Sequence, residues 1–140
     1  MPSLNGPATA LPGNIRYQAG DGNVNEVRMG VQGAPAAYTA AATITAAELA
    51  TGILSFTGSA DTITLPTVAL WETYLGGDIK VNASFDFSVL ATTGDCTLAV
   101  GTGWTLVGGG NGVTTVTQAT LWRARKTAAG AWSVYRVGGG

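Results

Sequence analysis

The sequence predicts an all-β domain, small and sandwich- or barrel-like, with one or two short helices and an extended N-terminal arm. Three observations carry that expectation. Apolar residues alternate with polar ones in ILSF (53–56), TITL (62–65) and FDFSVL (85–90), the period of half-buried strands. Glycine-rich or Thr-Gly turns separate such runs at short, regular intervals, as in sandwiches and barrels. At 140 residues, with 46% hydrophobic and only 11% charged side chains, the chain has material for one core.

Residues 1–40 stand apart. Pro2, Pro7, Pro12 and Pro35 alternate with Gly6, Gly13, Gly20, Gly22, Gly30 and Gly33, a density that breaks both helix and ladder. Two β-prone stretches survive, around Ile15–Gln18 and Glu26–Val31, able to pair with each other or with another chain. Ile15, Tyr17, Val27, Met29 and Val31 are more apolar than a disordered tail requires, so the segment reads as an arm that orders against a partner. The β-rich domain is expected to span 41–140.

Ile44 opens an extended element, and TAAELATG follows as a single helical turn. Thr45 is its N-cap, Glu48 completes a capping box, and Gly52 ends it. After ILSFTG and TITLP, Pro66 stops the second strand. Val68, Trp71 and Leu75 fall on one face of a two-turn helix suited to plugging the end of a barrel. Beyond Gly76-Gly77, Phe85, Phe87 and Val89 point one way and Asp86 and Ser88 the other. A Thr-Thr-Gly-Asp turn leads into CTLAVG and then WTLVG, and Gly108–Gly112 reads as a hairpin turn. The long TTVTQATLWRARKT pairs with AWSVYRV through Ala-Ala-Gly, and no internal repeat is evident.

Charge is scarce and unevenly distributed. An ordinary soluble domain is about 25% charged, so too little charge is left here to cover a monomer, and a homo-oligomer is expected over a monomer with a Thr/Ser-rich coat. Arg123, Arg125, Lys126 and Arg136 close the chain, whereas residues 41–120 set Glu48, Asp61, Glu72, Asp78, Asp86 and Asp95 against Lys80 alone. The split fits pairing between strands or subunits. It is too small for phosphate-backbone binding, so nucleic acid is not an expected partner. No signal sequence and no membrane-length apolar run is read. Asp86, Arg123 and Arg125 are the expected subunit-interface residues, with a carboxylate and an arginine in a partly buried, intersubunit pair.

Residues able to do chemistry are few. Histidine is absent, which removes the commonest general base and zinc ligand. Cys96 is the only cysteine, and it reads as a small buried hydrophobe in a strand. GGGNG lacks the Lys-Ser/Thr of a phosphate loop. DGNVNE at 21–26 starts like a calcium loop but has Glu26 at the place of the sharp-turn glycine and Gln32 at that of the bidentate glutamate. No catalytic residue, cofactor or metal is therefore expected. Among the tryptophans, Trp71 and one of Trp122 and Trp132 read as core, and Trp104 as the one most open to a sugar face.

The order of these elements, from TITLP through the short helix, Gly77-Asp78, FDFSVL and CTLAVGTGWTLVG to the closing RARKT and WSVYRV hairpin, resembles a domain of decoration (cement) proteins and head fibres of tailed bacteriophages, and less often of tail fibres. It covers roughly Thr43 to Val137. The resemblance implies a tulip-like β-domain that forms homotrimers, docks on the outer surface of the capsid by binding the major capsid protein, and grips the shell with its N-terminal segment. The expected function is thus that of a virion structural protein that decorates and stabilises the capsid, not of an enzyme. The alternative is a receptor- or glycan-binding domain of a tail or head fibre.

Overall fold

The computed structural model describes residues 30–108 and 112–139, together with the backbone of Tyr17–Gln18 and Arg28–Met29. Met1–Gly33 and Ala34–Gly140 are separate units. In the first, strands β1 (Tyr17–Gln18) and β2 (Arg28–Met29) pair antiparallel, Tyr17 opposite Met29, so the two β-prone stretches of the arm pair with each other. Ile15, Val27 and the side chains of Tyr17 and Met29 lie outside the described residues, as does the 21–26 loop; Val31 is exposed.

The second unit is a two-sheet β structure built from β3 (Ala36–Tyr38), β4 (Ala42–Thr43), β5 (Ile53–Phe56), β6 (Asp61–Thr64), β7 (Ser84–Ala91), β8 (Cys96–Ala99), β9 (Trp104–Val107), β10 (Val113–Thr114), β11 (Gln118–Ala128) and β12 (Ala131–Gly139). Helix α1 (Ala46–Leu49) joins β4 to β5, and α2 (Val68–Leu75) joins β6 to β7. The sheets have the orders β3-β5-β7-β11-β12-β9 and β10-β8-β6-β4. From β3 to β10 each strand lies in the opposite sheet from the one before it. Neighbours within a sheet, β3 and β5, β5 and β7, β4 and β6, β6 and β8, therefore run parallel. The chain winds in coils, each a strand of the large sheet, a tight turn, a strand of the small sheet and a return, with a helix in the first two returns.

This winding is an internal repeat that the sequence hides. The tight turns stack on one another at one end of the sandwich. Thr57 N–H donates to Tyr38 O at 2.9 Å, and one coil later Thr92 N–H donates to Phe56 O at 3.0 Å. Glycine is needed where turns touch: a Cβ on Gly58 would collide with the Thr39 carbonyl, and one on Gly94 would lie 2.5 Å from Ala60 N. Because β3 supplies the first coil and buries Tyr38, the domain starts at Ala34, seven residues before the expected boundary. The expected Gly108–Gly112 hairpin is also corrected. β9 pairs with β12 and β10 with β8, so the two strands lie in different sheets and are not hairpin partners. The closing hairpin is real: β11 pairs antiparallel with β12 and, on its other side, with β7.

Between the sheets lie Leu54, Phe56, Phe87, Val89, Trp122 and Val134 from the large sheet and Ile63, Cys96 and Leu98 from the small one, all essentially buried. At about 1.5 to 3 kcal/mol for each large apolar side chain, this core is the main stabilising term. Burial pushes the Cys96 thiol up to about 11, with Asp61 adding to it, so the cysteine is a packing residue. At the end opposite the stacked turns, α1 and α2 cover the core. Thr45 Oγ1 accepts from Glu48 N at 3.2 Å and Glu48 Oε2 accepts from Thr45 N at 2.9 Å, the expected capping box. Glu48 Oε2 also accepts from Tyr38 OH at 2.8 Å, which ties α1 to the first coil.

Candidate binding surfaces

The sequence-predicted pair lies on the outer face of the large sheet. Asp86 and Arg123 are directly opposite on β7 and β11, and Tyr135 on β12 continues the row. Arg123 donates from Nε to Asp86 Oδ1 at 2.7 Å and from Nη2 to Asp86 Oδ2 at 3.1 Å. Arg123 holds the Asp86 carboxyl below the usual carboxylate range, and Asp86 in turn raises the guanidinium. The pair forms within one chain, with side chains 52% and 43% exposed, so it is neither buried nor dependent on a second subunit for its partner. Arg125 shares that face but serves another purpose. Its guanidinium donates to Asn82 Oδ1 at 2.6 Å and to Tyr135 OH at 2.9 and 3.2 Å, which pins the loop before β7 to the sheet. Around this row Leu121, Val137 and Val107 are exposed.

The central acids act as local clamps and do not form a complementary charged surface. Asp61 Oδ2 accepts from Ala41 N at 3.0 Å, and Asp95 Oδ1 accepts from Val116 N at 2.8 Å, each closing a turn.

A second surface, not anticipated from the sequence, is the helical end. Thr67 caps α2, its Oγ1 accepting from Leu70 N at 3.3 Å, and Gly76 ends the helix with φ of 92°. Val68 and Trp71 face inward, while Leu70, Tyr74 and Leu75 are exposed. Beneath the helix Trp71 packs on Phe85 (centroids 4.8 Å apart) and edge-on to Trp132 (6.3 Å), which meets Trp104 at 5.7 Å. Trp104, expected to be the exposed tryptophan, is only 6% exposed and donates from Nε1 to Pro66 O at 2.7 Å. The WTLV strand forms an edge of the large sheet, but its first residue turns inward under the α2 N-terminus.

A partly buried ion pair anchors this end. Lys126 continues the inward-facing series Thr120, Trp122, Ala124 along β11, and its Nζ lies 2.8 Å from Glu72 Oε1 on α2. Glu72 Oε1 also accepts from Trp132 Nε1 at 3.0 Å. Lys126 first, then Trp132, hold this carboxyl below its ordinary value. The signal was present as a lysine in an alternating apolar strand, yet the preceding arginines masked it.

Between α2 and the 76–84 segment an apolar cleft of ≈ 360 Å³ opens to solvent, lined by Ala50, Trp71, Leu75, Ile79, Phe85 and Trp132 among others. No group of three or more His, Cys, Asp or Glu able to hold a metal occurs among the described residues, and none of the described helices is long and apolar enough to cross a membrane. Comparison with protein-family models, curated proteins and solved structures finds no match. The fold is that of a β-rich domain with exposed apolar side chains on two surfaces.

Proposed function

We propose that this chain is a bacteriophage virion structural protein that decorates and stabilises the outer surface of the capsid by binding the major capsid protein, working as a homotrimer through a barrel-like β-domain. The observation that carries the reading is the combination of a sequence without histidine and a domain most of whose acids are engaged by its own turns and anchors, while apolar side chains stand exposed on α2 and the large sheet. Such a surface works by area. Self-association would use the outer face of the large sheet, with the Asp86–Arg123 pair, Arg125 and exposed Leu121 and Val137. The arm residues Ile15, Tyr17, Val27, Met29 and Val31 would add a linked contact with the shell, raising effective concentration.

The alternative of a glycan-binding fibre domain needs exposed aromatic faces; all four tryptophans are at most 6% exposed, which leaves Tyr74, 52% exposed, to supply one. Mixing the purified chain with particles that lack it, followed by imaging, tests the proposal. Threefold density on the outer shell is expected; particles that stay bare would overturn it. Light scattering should give about three times the 14.1 kDa chain mass, and a stable monomer at micromolar concentration would remove the trimer.

A further inference from the structure

We infer that Arg125 and Tyr135, on the outer face of the large sheet, form a receptor for a single carboxylate, and that Asp78 of a second copy of this chain supplies it. The receptor is made of donors. A guanidinium carries five N–H groups, and Arg125 spends three of them, on Tyr135 OH at 2.9 and 3.2 Å and on Asn82 Oδ1 at 2.6 Å, which leaves one on Nη1 and one on Nη2. The Tyr135 oxygen accepts both of its bonds from Arg125, and its own O–H donates to no group among the described residues. Arg125 also holds the Tyr135 phenol below its ordinary value, which makes that O–H a stronger donor. Ser84, directly opposite Arg125 on β7 and exposed, adds a hydroxyl beside them.

Donors without an acceptor call for an anion, and the local charges set its size. Lys80, Arg125 and Arg136 are the described cations outside the two ion pairs. Of these only Arg125 is fixed by three hydrogen bonds of 3.2 Å or less, whereas Arg136 makes one at 3.5 Å, so the Arg125 fork meets a ligand without an ordering cost. Asp86, paired with Arg123, holds the next outward position on β7, and its charge disfavours a dianion there. One free cation fits one negative charge, and a planar fork fits a planar carboxylate.

The source of that carboxylate follows from the same count of charges. Among the described acids Glu48, Asp61, Glu72, Asp86 and Asp95 accept hydrogen bonds within the chain, whereas Asp78 accepts none and joins no ion pair. Asp78 is exposed in the 76–83 loop, whose Asn82 is the residue that Arg125 grips, so the free carboxylate and the free fork stand at the same end of the domain. Rotation about an axis along the strands keeps that level and turns the Asp78 of one copy towards the Arg125 of the next, as a head-to-tail ring requires. Val107, opposite Tyr135 on β9, and Leu121, two positions before Arg123 on β11, are both 39% exposed and give the contact apolar surroundings. The inference deepens the self-association proposed above and rests on it for the source of the carboxylate, not for the receptor.

The test uses the full ¹⁵N-labelled chain at fixed ionic strength, with the Arg125 Nε–H signal assigned by its loss in Arg125→Lys. Asp78→Asn, which breaks no bond within the chain, is expected to keep the wild-type circular dichroism and to weaken self-association about tenfold or more, read by light scattering over a dilution series. Sodium acetate should move the Arg125 signal of Asp78→Asn saturably, at concentrations to which the self-associated wild type does not respond, and methyl phosphate should bind less well. Unchanged self-association of Asp78→Asn would overturn Asp78 as the source. No saturable acetate shift in that variant, or tighter binding of methyl phosphate, would overturn the receptor. A wild-type chain that stays monomeric removes the self-association reading and Asp78 with it; if its Arg125 signal then answers acetate saturably, the receptor stands.

Discussion

Replacing Lys126 by Met removes the ammonium while keeping most of the stem that lies along the core. Glu72 is then left with one partner, Trp132 Nε1 at 3.0 Å, in a place where its side chain is only 24% exposed. Stranding a fully buried charge costs about 3–5 kcal/mol. With a quarter of the carboxylate still reaching water and one hydrogen bond kept, about 2–3 kcal/mol is expected, a fall in melting temperature on the order of 10 °C for a domain of this size. The sign of the pH dependence follows from the lowered Glu72 carboxyl. In the wild type its stabilisation is complete above the unfolded value of about 4.3 and is lost as pH falls through the lower folded value. In the variant, burial without the cation favours the neutral acid, so the deficit should shrink as pH falls towards 4. Adding Glu72→Gln should recover most of the loss at pH 7, because the stranded charge is gone. Differential scanning calorimetry of the three variants at pH 7 and pH 4 reads all of this. A Lys126→Met melting temperature within about 2 °C of wild type at pH 7, or a double variant less stable than the single, would refute the anchor.

A chain starting at Ala34 should melt cooperatively by circular dichroism, whereas one starting at residue 41 loses β3 and Tyr38 and should be markedly destabilised; equal melting would return the boundary to residue 40. Gly94→Ala should cost more than about 2 kcal/mol because its Cβ would sit 2.5 Å from Ala60 N, while Gly76→Ala, with open space around it, should cost about 1 kcal/mol from φ alone; the reverse order in urea titrations would refute turn stacking. In a monomer Asp86→Ala and Arg123→Ala should each barely move the melting curve, since both side chains are about half exposed in the single chain, whereas in a trimer assembled through this face each should lower it clearly; a negligible shift in the oligomer would take the pair out of the proposed interface.

Period-two alternation made β5, β6, β7 and the β11–β12 hairpin legible, and the Thr45–Glu48 spacing announced α1 with its capping box. What remained hidden was connectivity. Alternation reports which face of a strand is buried, not which sheet it belongs to, and the short turns after Phe56 and Ala91 look like hairpin turns although they cross the sandwich. The repeat is hidden because its coils share only a buried residue followed by Thr, at Tyr38, Phe56 and Ala91, with a glycine close behind only in the second and third, and are separated by helices of unequal length. At the surfaces, a carboxylate–arginine pair is readable from opposite charges on outward strand positions, and it forms between Asp86 and Arg123, exposed and within one chain. Their partner was sought in another subunit because the order β7-β11 was not visible. Trp104 was misread since flanking glycines suggest exposure; here Gly103, with φ of 95°, lets the chain press against Val68, whose Cβ would lie 2.7 Å from any Cβ added at that glycine.

The two ends of the sandwich carry different physical work. At the turn end, stacked backbone, contact glycines and the Asp61 and Asp95 clamps satisfy polar groups within the chain and leave little to offer a partner. At the helical end the fold tolerates what folding alone would not select: positive-φ residues in one loop, an unpaired indole donor, an ion pair drawn away from water, and exposed Leu70, Tyr74 and Val81. The positive φ of Asp78 and Asn82 and the unpaired Trp71 donor cost stability in an isolated chain. The exposed apolar side chains of this end are the ones that the proposed attachment would use. Lys126 and Arg125, adjacent on one strand, matter together here. One grips α2 and the other the loop, and between them they fix the two walls of the cleft.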